Sequence, residues 1–339
     1  MTPDSGQNVA IVVIGRNEGD RLKSCLRASM ASGRTAVYAD SGSDDGSADY
    51  ARSLGCHVVE VDPARPFSAA RARNEGIACL LEHEPEVAFV QFVDGDCDLE
   101  EDWLERGAAT LREKQNVGVV FGHLREVHPE ATIYNRLCDL EWRRTPGEIR
   151  ACGGIFMVRA KAFKAAGGFR DDVIAAEDDE LCVRMRQAGW KILLVDAAMA
   201  RHDAAITRFS EWWQRTRRTG HAYAHVAAIH GKGEERYFVR DCRKVWVWAL
   251  LLPVSAFCLA PFTYGFSLVL LLGLYALQFG RIYLSGRRRG WGTADALIYA
   301  MFTVIAKFPM LEGLLEYYWR QRRGHAMTII EYKGSSSSQ

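Results

Sequence analysis

The sequence lacks several signatures of common functional classes. Its 43 Lys and Arg residues nearly balance 42 Asp and Glu residues, so the overall charge gives no reason to expect a nucleic-acid partner. The nine cysteines are scattered and contain no C-x-x-C pair, which argues against a cysteine zinc or redox site and favours reduced, buried thiols. The N-terminal MTPDSGQN has no basic segment followed by an apolar run. We therefore expect no secretory signal, and the N-terminal part of the chain should not be exported.

Two nucleotide-binding loops are also missing. The first apolar run is followed by GRNEGD, which is neither the G-x-G-x-x-G of dinucleotide-binding oxidoreductases nor a Gly-rich, Lys-containing phosphate loop. A nucleotidyltransferase would be expected to contain the Lys-containing phosphate loop. It stays a competing class, because such an enzyme also has an α/β domain and an acidic metal site. A non-enzymatic membrane protein is another, and it would need none of the acidic motifs described below.

Short apolar runs alternate with amphipathic segments in the first half of the chain. The runs are 9–14, 35–40, 57–61, 87–94 and 117–122. Continuous, β-branched runs of this length suit strands buried on both faces of a parallel sheet, and the intervening segments have helical spacing. We therefore predict an α/β fold with a mostly parallel sheet and flanking helices. Later elements are predicted as strands at 155–158 and 191–195, a helix at 178–188 and a basic, Trp-rich helix from about Phe209.

The composition changes sharply near residue 245. Segments 245–260 and 262–284 contain no charged residue before Arg281, and the second is long enough to cross a bilayer core of about 30 Å. The first carries Pro253 and is predicted to be kinked. Basic residues flank the pair on one side, namely Arg240, Arg243, Lys244, Arg281, Arg287, Arg288 and Arg289. This predicts a two-pass hairpin with both ends cytoplasmic, with a pair of buried core helices as the alternative.

A third apolar segment, 294–318, contains several charged residues and is followed by Arg320, Arg322 and Arg323. Its charges favour an amphipathic helix at the membrane interface over a further span. The predicted organisation is an α/β domain at 1–230, the hairpin at 231–291, the interfacial helix at 292–325 and a tail at 326–339 that we expect to be disordered.

Three acidic motifs follow predicted strands or begin a predicted helix. FVDGDCD supplies Asp94, Asp96 and Asp98 in a turn that we expect to be exposed at the carboxyl end of a strand, where ligands bind in open α/β sheets. Such carboxylates can share a divalent cation and a diphosphate, although a solvated turn has the same pattern. YADSGSDDGS places Asp40 at a strand end, which also fits an ordinary Asx turn. AAEDDEL begins a helix with four acids, more than helix capping requires.

The order of the motifs is more informative than any one of them. VVIGRNEGD, YADSGSDDGS, ARNEGI, FVDGDCD, GGIFMVRAKAFKAAGGF and EDDELCVRMRQAGWKI resemble, in sequence and in order, the motifs of family 2 glycosyltransferases of GT-A fold, in particular membrane-anchored bacterial members. The resemblance covers about 9–220. It implies an inverting transferase that uses a nucleoside-diphosphate sugar and a divalent metal, Mn²⁺ or Mg²⁺.

The resemblance also implies roles for individual residues. Glu177 and Asp178 match the catalytic pair, with Asp178 as the base that accepts a proton from the acceptor hydroxyl. Asp94 and Asp96 match the DxD pair, with His202 as a further metal ligand, although a lone His is more often structural. The residues implied in donor binding are Gly15, Arg16, Glu18, Asp40, Arg73, Asp94 and Gly95. Gly153 and Gly154 fall in the acceptor or diphosphate region.

The segment WWQRTRRTG resembles the Q-x-x-R-W motif of processive polysaccharide synthases through Gln214 and Arg217. Arg218 stands where that motif has Trp, so we predict addition of a single sugar and assign these three residues to the acceptor or diphosphate region. The alternative is a basic, aromatic helix at the membrane face with its Arg side chains directed toward lipid phosphates. Both interpretations fit a lipid phosphate acceptor.

The predicted function is transfer from a UDP-sugar to a polyprenyl-linked oligosaccharide in surface polysaccharide or glycolipid synthesis. The alternative acceptor is a polyprenyl phosphate, which would give a lipid-linked monosaccharide. The expected partners are the nucleotide-sugar donor, a lipid-linked or glycan acceptor and the membrane. We expect the protein in the cytoplasmic membrane, with its catalytic domain on the cytoplasmic face. No motif identifies the sugar, because hydroxyl recognition depends on side-chain geometry.

Overall fold

The computed structural model describes residues 9–324, so the predicted tail at 326–339 lies outside the described residues. By Cα proximity these residues form two compact units. The first contains 9–127 and 141–205, and the second contains 128–140 and 206–324. The helix that begins at Phe209 therefore groups with the C-terminal helices, whereas the sequence prediction grouped it with the catalytic domain.

The first unit is an α/β structure. Its strands are β1 (Val9–Gly15), β2 (Ala36–Asp40), β3 (His57–Glu60), β4 (Phe89–Asp94), β5 (Cys97–Leu99), β6 (Val117–Glu126), β7 (Gly147–Glu148), β8 (Phe156–Arg159) and β9 (Lys191–His202). Its helices are α1 (Asp20–Ala31), α2 (Ser47–Ser53), α3 (Ala69–His83), α4 (Trp103–Glu113), α6 (Ala160–Ala165) and α7 (Glu177–Gln187), together with the last residues of α5 (Ile133–Trp142). The α/β class predicted from the alternating pattern is confirmed.

The sheet is mixed, in the order β3-β2-β1-β4-β8-β6-β9-β5, with β7 paired to β9. Strands β1 to β4 pair in parallel, as do β6 and β9. Strand β8 runs antiparallel to both neighbours, and β5 and β7 run antiparallel to β9. A strand that is buried on both faces has a continuous apolar sequence whether it pairs in parallel or antiparallel. The sequence of β8 therefore did not reveal its direction.

The parallel strands bring the predicted ligand-binding residues to one edge. In the β1–β2 and β1–β4 registers, Gly15 lies opposite Asp40 and Ile14 lies opposite Asp94. Below this edge the core is closely packed, and Phe92 and Trp103 are fully buried. The Trp103 indole donates a 2.7 Å hydrogen bond to the buried Gln91 side chain, so this polar group has its partner.

The second unit is helical. Besides most of α5 it contains α8 (Phe209–His230), α9 (Val239–Trp246), a π-helical turn (Val247–Leu251), α10 (Leu252–Leu259), α11 (Phe266–Arg288), α12 (Thr293–Ile305) and α13 (Lys307–Arg323). By length and composition, three helical stretches could cross a membrane: Val239–Leu259, Phe266–Arg288 and Thr293–Arg323. The first two match the predicted hairpin. The third also qualifies as a span, and 39% of its most apolar window is buried within the protein.

The π-helical turn explains how the first of these stretches accommodates Pro253. Within the turn the Leu252 amide donates to the Val247 carbonyl, so the next bond of this pattern would run from residue 253 to the Trp248 carbonyl. Proline has no amide proton to donate. The Tyr275 hydroxyl of α11 hydrogen-bonds this carbonyl instead. An apolar surrounding tolerates few unsatisfied backbone groups, so this bond stabilises the pairing of the first two apolar stretches.

Helices α8 and α13 pack at two glycines. A Cβ atom on Gly220 would clash with the Met310 carbonyl, and one on Gly313 would clash with the Arg217 carbonyl. Small residues allow helix backbones to approach this closely. Glu316 joins the same pair of helices, since it accepts hydrogen bonds of 3.0 and 2.7 Å from the Arg217 guanidinium.

We predict that Gly313→Ala destabilises the second unit, because the added methyl group meets backbone atoms that cannot move aside. Overpacking of this kind costs about 1 to 3 kcal/mol or more. The measurement is the thermal unfolding midpoint of the detergent-solubilised protein. Gly273→Ala is the matched control, since a Cβ atom at this α11 position meets no atom within 4 Å. Equal midpoints for the two variants would contradict the proposed close packing.

Candidate active site

Asp40 anchors one side of the candidate site. Its carboxylate accepts hydrogen bonds from the Tyr38 hydroxyl at 2.8 Å and from the backbone amides of Gly42 and Ser43 at 3.1 and 2.8 Å. The bonds to the two amides form an Asx-type turn, as the sequence allowed. Gly42 has a positive φ of 79°, and a Cβ atom there would lie 2.9 Å from the Phe67 ring. The turn therefore requires glycine at this position.

The loops after β1 and β2 are joined by hydrogen bonds. The Asn17 amide donates to the Ser43 hydroxyl at 3.0 Å, and the Asn17 side chain accepts from the Asp44 amide at 2.9 Å. The Gly19 amide donates to Asp45 at 3.0 Å. The rim that is predicted to receive the nucleotide is thus held by backbone amides on both loops.

The predicted donor-binding residues of the first loop occupy this rim. The Arg16 guanidinium lies 5.4 Å from the centre of the Phe67 ring, and Glu18 forms an ion pair with Arg21 at 2.8 Å. A Cβ atom on Gly15 would be 3.3 Å from the Tyr38 hydroxyl oxygen. The Gly95 amide donates to the Ile14 carbonyl at 2.8 Å and ties the FVDGDCD turn to β1. Their roles in donor binding stay predictions.

Arg73 lies at the centre of the site and is only 2% exposed. Its Nη2 atom donates to Asp94 Oδ1 at 2.7 Å, and its Nη1 atom donates to Glu177 Oε1 at 2.6 Å. Burial disfavours the guanidinium charge, but the two carboxylates outweigh this effect and hold the pKa of Arg73 above its ordinary value. These contacts connect the DxD motif directly to the predicted catalytic pair. The predicted contact of Arg73 with a nucleotide base stays a prediction.

Gly154 permits the contact between Arg73 and Asp94. A Cβ atom on Gly154 would lie 2.7 Å from Arg73 Nη2 and 2.8 Å from Asp94 Oδ2. The neighbouring Gly153 has no atom within 4 Å of the corresponding position. The two glycines of the predicted acceptor or diphosphate region therefore differ, because only the second lies against the ion pair.

Glu177 and Asp178 begin helix α7. The preceding residue, Ala176, has a positive φ of 57°, a conformation that costs roughly 1 kcal/mol for a residue with a Cβ atom. Burial raises the pKa of Asp178 to about 8, with further increases from Asp179 and Glu177 and an opposing effect of Arg73. A carboxyl group with a pKa in this range can accept a proton near neutral pH, which is the property required of a general base.

Asp96 and His202, both predicted to be metal ligands, lie close together, with 3.3 Å between Oδ2 and Nε2. The turn that contains Asp96 was expected to be exposed, and this expectation is wrong, because Asp96 is nearly buried. The residues that follow it, 97–99, form β5, which pairs with β9. Among the described residues, the cluster that could hold a metal ion comprises Asp96, Cys97 and His202, with ligand atoms within 4.8 Å of one another. These oxygen, sulfur and nitrogen donors fit a divalent cation. Asp94 lies outside this cluster and is held by Arg73.

Further groups support His202. The Glu126 Oε2 atom lies 4.0 Å from His202 Nδ1 and accepts a 3.0 Å hydrogen bond from the Ala204 amide. The Trp142 ring meets the imidazole edge to face, with 4.7 Å between ring centres. Such neighbours orient a metal-binding imidazole.

Sequence reasoning missed four residues of the site: Asn74, Cys97, Glu126 and Trp142. The Asn74 side chain bonds the Phe169 carbonyl and the Asp171 carboxylate, both at 2.9 Å, and so holds the segment that leads to α7. Asn74 lies in the ARNEGI motif and Cys97 in the FVDGDCD motif, so their polar side chains could have been identified as candidates from the sequence. Glu126 and Trp142 have no such signal.

The predicted acceptor residues Gln214, Arg217 and Arg218 all belong to the second unit. Arg217 is bonded to Glu316, and its Nη1 atom donates to the Gln214 side chain at 3.4 Å. The resemblance to the polysaccharide synthase motif therefore coincides with contacts that hold α8 and α13 together. A role in acceptor binding stays a prediction for these residues.

A mixed α/β sheet with acidic residues at the ends of its strands is the architecture expected of a glycosyltransferase of GT-A fold. The chain belongs to the glycosyltransferase-like family 2, whose sequence model matches residues 6–222. The structure is similar to that of the mannosyltransferase PcManGT from Pyrobaculum calidifontis, solved in complex with GDP-Man and Mn²⁺, with a TM-score of 0.62 and 17% identity. The match covers 95% of this chain and 90% of that chain, and at this identity it shows the fold.

Curated relatives are glycosyltransferases as well. The chain is 23% identical over 259 residues to the glycosyltransferase AglE of Haloferax volcanii, which covers 72% of this chain and 81% of the relative. It is 26% identical over 189 residues to the O-antigen chain rhamnosyltransferase WbaN of Salmonella anatum, covering 52% of this chain and 58% of the relative. The pre-mycofactocin glycosyltransferase of Mycobacterium tuberculosis is 26% identical over 243 residues, which are 67% of this chain and 50% of that protein. The chain is therefore a glycosyltransferase, and the competing classes are set aside.

We predict that Gly154→Ala lowers transfer activity by at least about tenfold, because its methyl group displaces Arg73 or Asp94 and misplacement by even 1 Å can cost about 100-fold. The measurement is the initial rate of nucleoside diphosphate release at saturating donor. Gly153→Ala is the matched control, since its added methyl group meets no neighbour. A Gly154→Ala variant as active as Gly153→Ala would show that the Arg73–Asp94 geometry does not matter for transfer.

Proposed function

We propose that the protein is an inverting glycosyltransferase that transfers a sugar from a nucleoside-diphosphate sugar to a membrane-associated acceptor. The observation that carries the proposal is the double contact of Arg73 with Asp94 and Glu177. Arg73 connects Asp94, on the donor side, to Glu177, the residue before the proposed base Asp178. The groups for the donor and for the acceptor therefore lie in one site.

Asp178 accepts the proton of the acceptor hydroxyl as this oxygen attacks the anomeric carbon from the face opposite the leaving group. One displacement of this kind inverts the anomeric configuration and needs no covalent glycosyl-enzyme. The raised pKa of Asp178 supports this role, because a carboxylate of ordinary pKa is a weaker base. Arg73 keeps its charge beside Asp178 and favours the deprotonated form that begins the reaction.

The donor side is formed by Asp40 and the hydrogen-bonded loops after β1 and β2. Backbone amides and glycine turns suit close approach of a nucleotide. A divalent cation held by Asp96 and His202 would offset the negative charge of the departing nucleoside diphosphate. We expect UDP as the nucleotide, although the structurally similar PcManGT was solved with GDP-Man, so both types of donor need testing.

The acceptor is associated with the membrane, and its leading candidate is a polyprenyl-linked oligosaccharide. Support comes from the three apolar helical stretches and from the basic residues that flank the first two on one side. This charge bias favours a cytoplasmic location of the flanks, in keeping with the expected cytoplasmic membrane. The name of the relative WbaN, an O-antigen chain rhamnosyltransferase, is consistent with an acceptor in surface polysaccharide assembly.

Donor and acceptor are tested together with radioactive UDP-, GDP- and dTDP-sugars, Mn²⁺ and a membrane lipid extract. We expect one donor class to give both free nucleoside diphosphate and labelled lipid. Mild acid then separates the acceptors, since oligosaccharide-linked product releases a labelled oligosaccharide and a polyprenyl phosphate product releases a labelled monosaccharide. Label found only in water-soluble material would contradict a lipid acceptor of either kind.

We predict that Asp178→Asn retains donor binding but loses transfer, because the amide cannot accept the proton. In the wild-type protein, the turnover rate should rise about tenfold per pH unit below a pKa of about 8 and level off above it. Turnover at the wild-type level in the variant would remove Asp178 from the role of base. Isothermal titration with the donor provides the binding measurement.

The stability of the folded protein should decrease as the pH rises, whereas the turnover rate should increase. The pKa of Asp178 is higher in the folded chain, at about 8, than the value of about 3.9 expected when unfolded, so folding favours its protonated form. Its contribution to stability is therefore fully present below about pH 4, is lost as pH rises to about 8, and is constant above. Relative to wild type, the thermal midpoint of Asp178→Asn should increase across this window. A difference independent of pH would contradict the raised pKa.

A further inference from the structure

Cys97 presents a thiol to the candidate metal cluster, a feature that the proposed transfer reaction does not use. Its Sγ atom lies 3.4 Å from Asp96 Oδ1, while the other carboxylate oxygen of Asp96 lies 3.3 Å from His202 Nε2. The Asp96 carboxylate thus contacts the thiol with one oxygen and the imidazole with the other.

The sheet register accounts for this arrangement. Strands β5 and β9 are antiparallel, and Cys97 lies directly opposite His202. Directly opposed residues of an antiparallel pair have side chains on the same face of the sheet, a few ångströms apart. The approach of sulfur and imidazole is therefore a property of the backbone pairing, and it does not depend on one flexible side chain.

The donor set is softer than that of a carboxylate-only site. Carboxylate and imidazole together suit Mn²⁺, whereas carboxylate, imidazole and thiolate are the ligands found around Zn²⁺. For a given site, Zn²⁺ also binds more tightly than Mn²⁺ in the usual affinity order of divalent ions. A cation that prefers sulfur therefore gains a ligand here that a harder cation does not use.

We propose that Asp96, Cys97 and His202 form a binding site for a thiophilic divalent cation, with Zn²⁺ the physiological candidate and Cys97 Sγ as a direct ligand. On binding, a sulfur–metal bond forms and the thiol proton passes to solvent. Zn²⁺ held in this way occupies the position of the harder ion and inhibits transfer. The inhibitory consequence rests on the proposed function, whereas the binding site itself does not.

The binding test uses Cd²⁺ as a spectroscopic probe of the full-length protein in detergent. We expect about one bound Cd²⁺ per chain with an ultraviolet sulfur-to-cadmium charge-transfer band. Cys97→Ser should abolish this band. Cys25→Ser is the matched control, because this thiol is also buried, at 1% exposure, and donates to the Asp94 carbonyl at 3.7 Å.

A second control addresses the other place where thiols meet. The sulfur atoms of Cys152 and Cys182 lie 3.5 Å apart, so this pair is an alternative cadmium site. Cys152→Ser should leave the band unchanged. A band that survives Cys97→Ser but disappears in Cys152→Ser would overturn the proposal, as would the absence of a band in the wild-type protein.

Competition between ions provides an independent measurement. Free Mn²⁺ gives a strong paramagnetic resonance signal, so its release can be followed as Zn²⁺ is added. We expect Cys97→Ser to require a Zn²⁺ concentration higher by about 10- to 100-fold, the range seen even when a supporting group of a metal site is lost. Equal Zn²⁺ requirements in variant and wild type would contradict a sulfur ligand.

Should Cys97→Ser fail to fold, cadmium magnetic resonance of the wild-type protein decides the question, since the chemical shift distinguishes a sulfur ligand from oxygen and nitrogen alone. A shift typical of oxygen and nitrogen ligands would overturn the proposal. None of these measurements requires turnover. Failure of the thiol site would therefore leave the transferase proposal intact, and failure of the transfer assays would leave the metal measurements interpretable.

Discussion

The candidate site of the first unit depends on the buried guanidinium of Arg73, which joins its acidic residues. A charge that is only 2% exposed is tolerated when it is paired, and Arg73 is paired twice, with Asp94 and Glu177. The converse is equally important. Without Arg73, Asp94 and Glu177 would both lose this counter-charge, and the pKa of Asp178 would rise further, because Arg73 opposes its increase.

This pairing also determines which backbone can surround it. Gly154 has no side chain, which leaves room for the Arg73–Asp94 contact. The Asn74 side chain donates a hydrogen bond to the Phe169 carbonyl and so holds the segment that leads to α7. Helix α7 begins after Ala176 in a left-handed conformation, which directs Glu177 toward Arg73. A strained residue next to the predicted catalytic pair is consistent with a loss of stability that positions these side chains.

The second unit solves a different physical problem, because its helices present apolar surface and must satisfy their own backbone groups. The Tyr275 hydroxyl occupies the carbonyl that Pro253 leaves without a donor. Glycines at the α8–α13 contact allow Glu316 to reach Arg217.

The sequence by itself determined the α/β class, most strand and helix positions, the family and the acidic residues at the strand ends. Alternating apolar runs and short motifs are local properties, and buried runs report burial whatever their partners are. Only the tertiary structure decided the antiparallel direction of β8, the burial of Asp96, the separation of Asp94 from the Asp96–His202 cluster and the central position of Arg73. These features depend on contacts between residues far apart in the chain, such as Cys97 opposite His202. The free energy of such a pairing depends on both strands and their neighbours, so it cannot be predicted from the sequence of either segment alone.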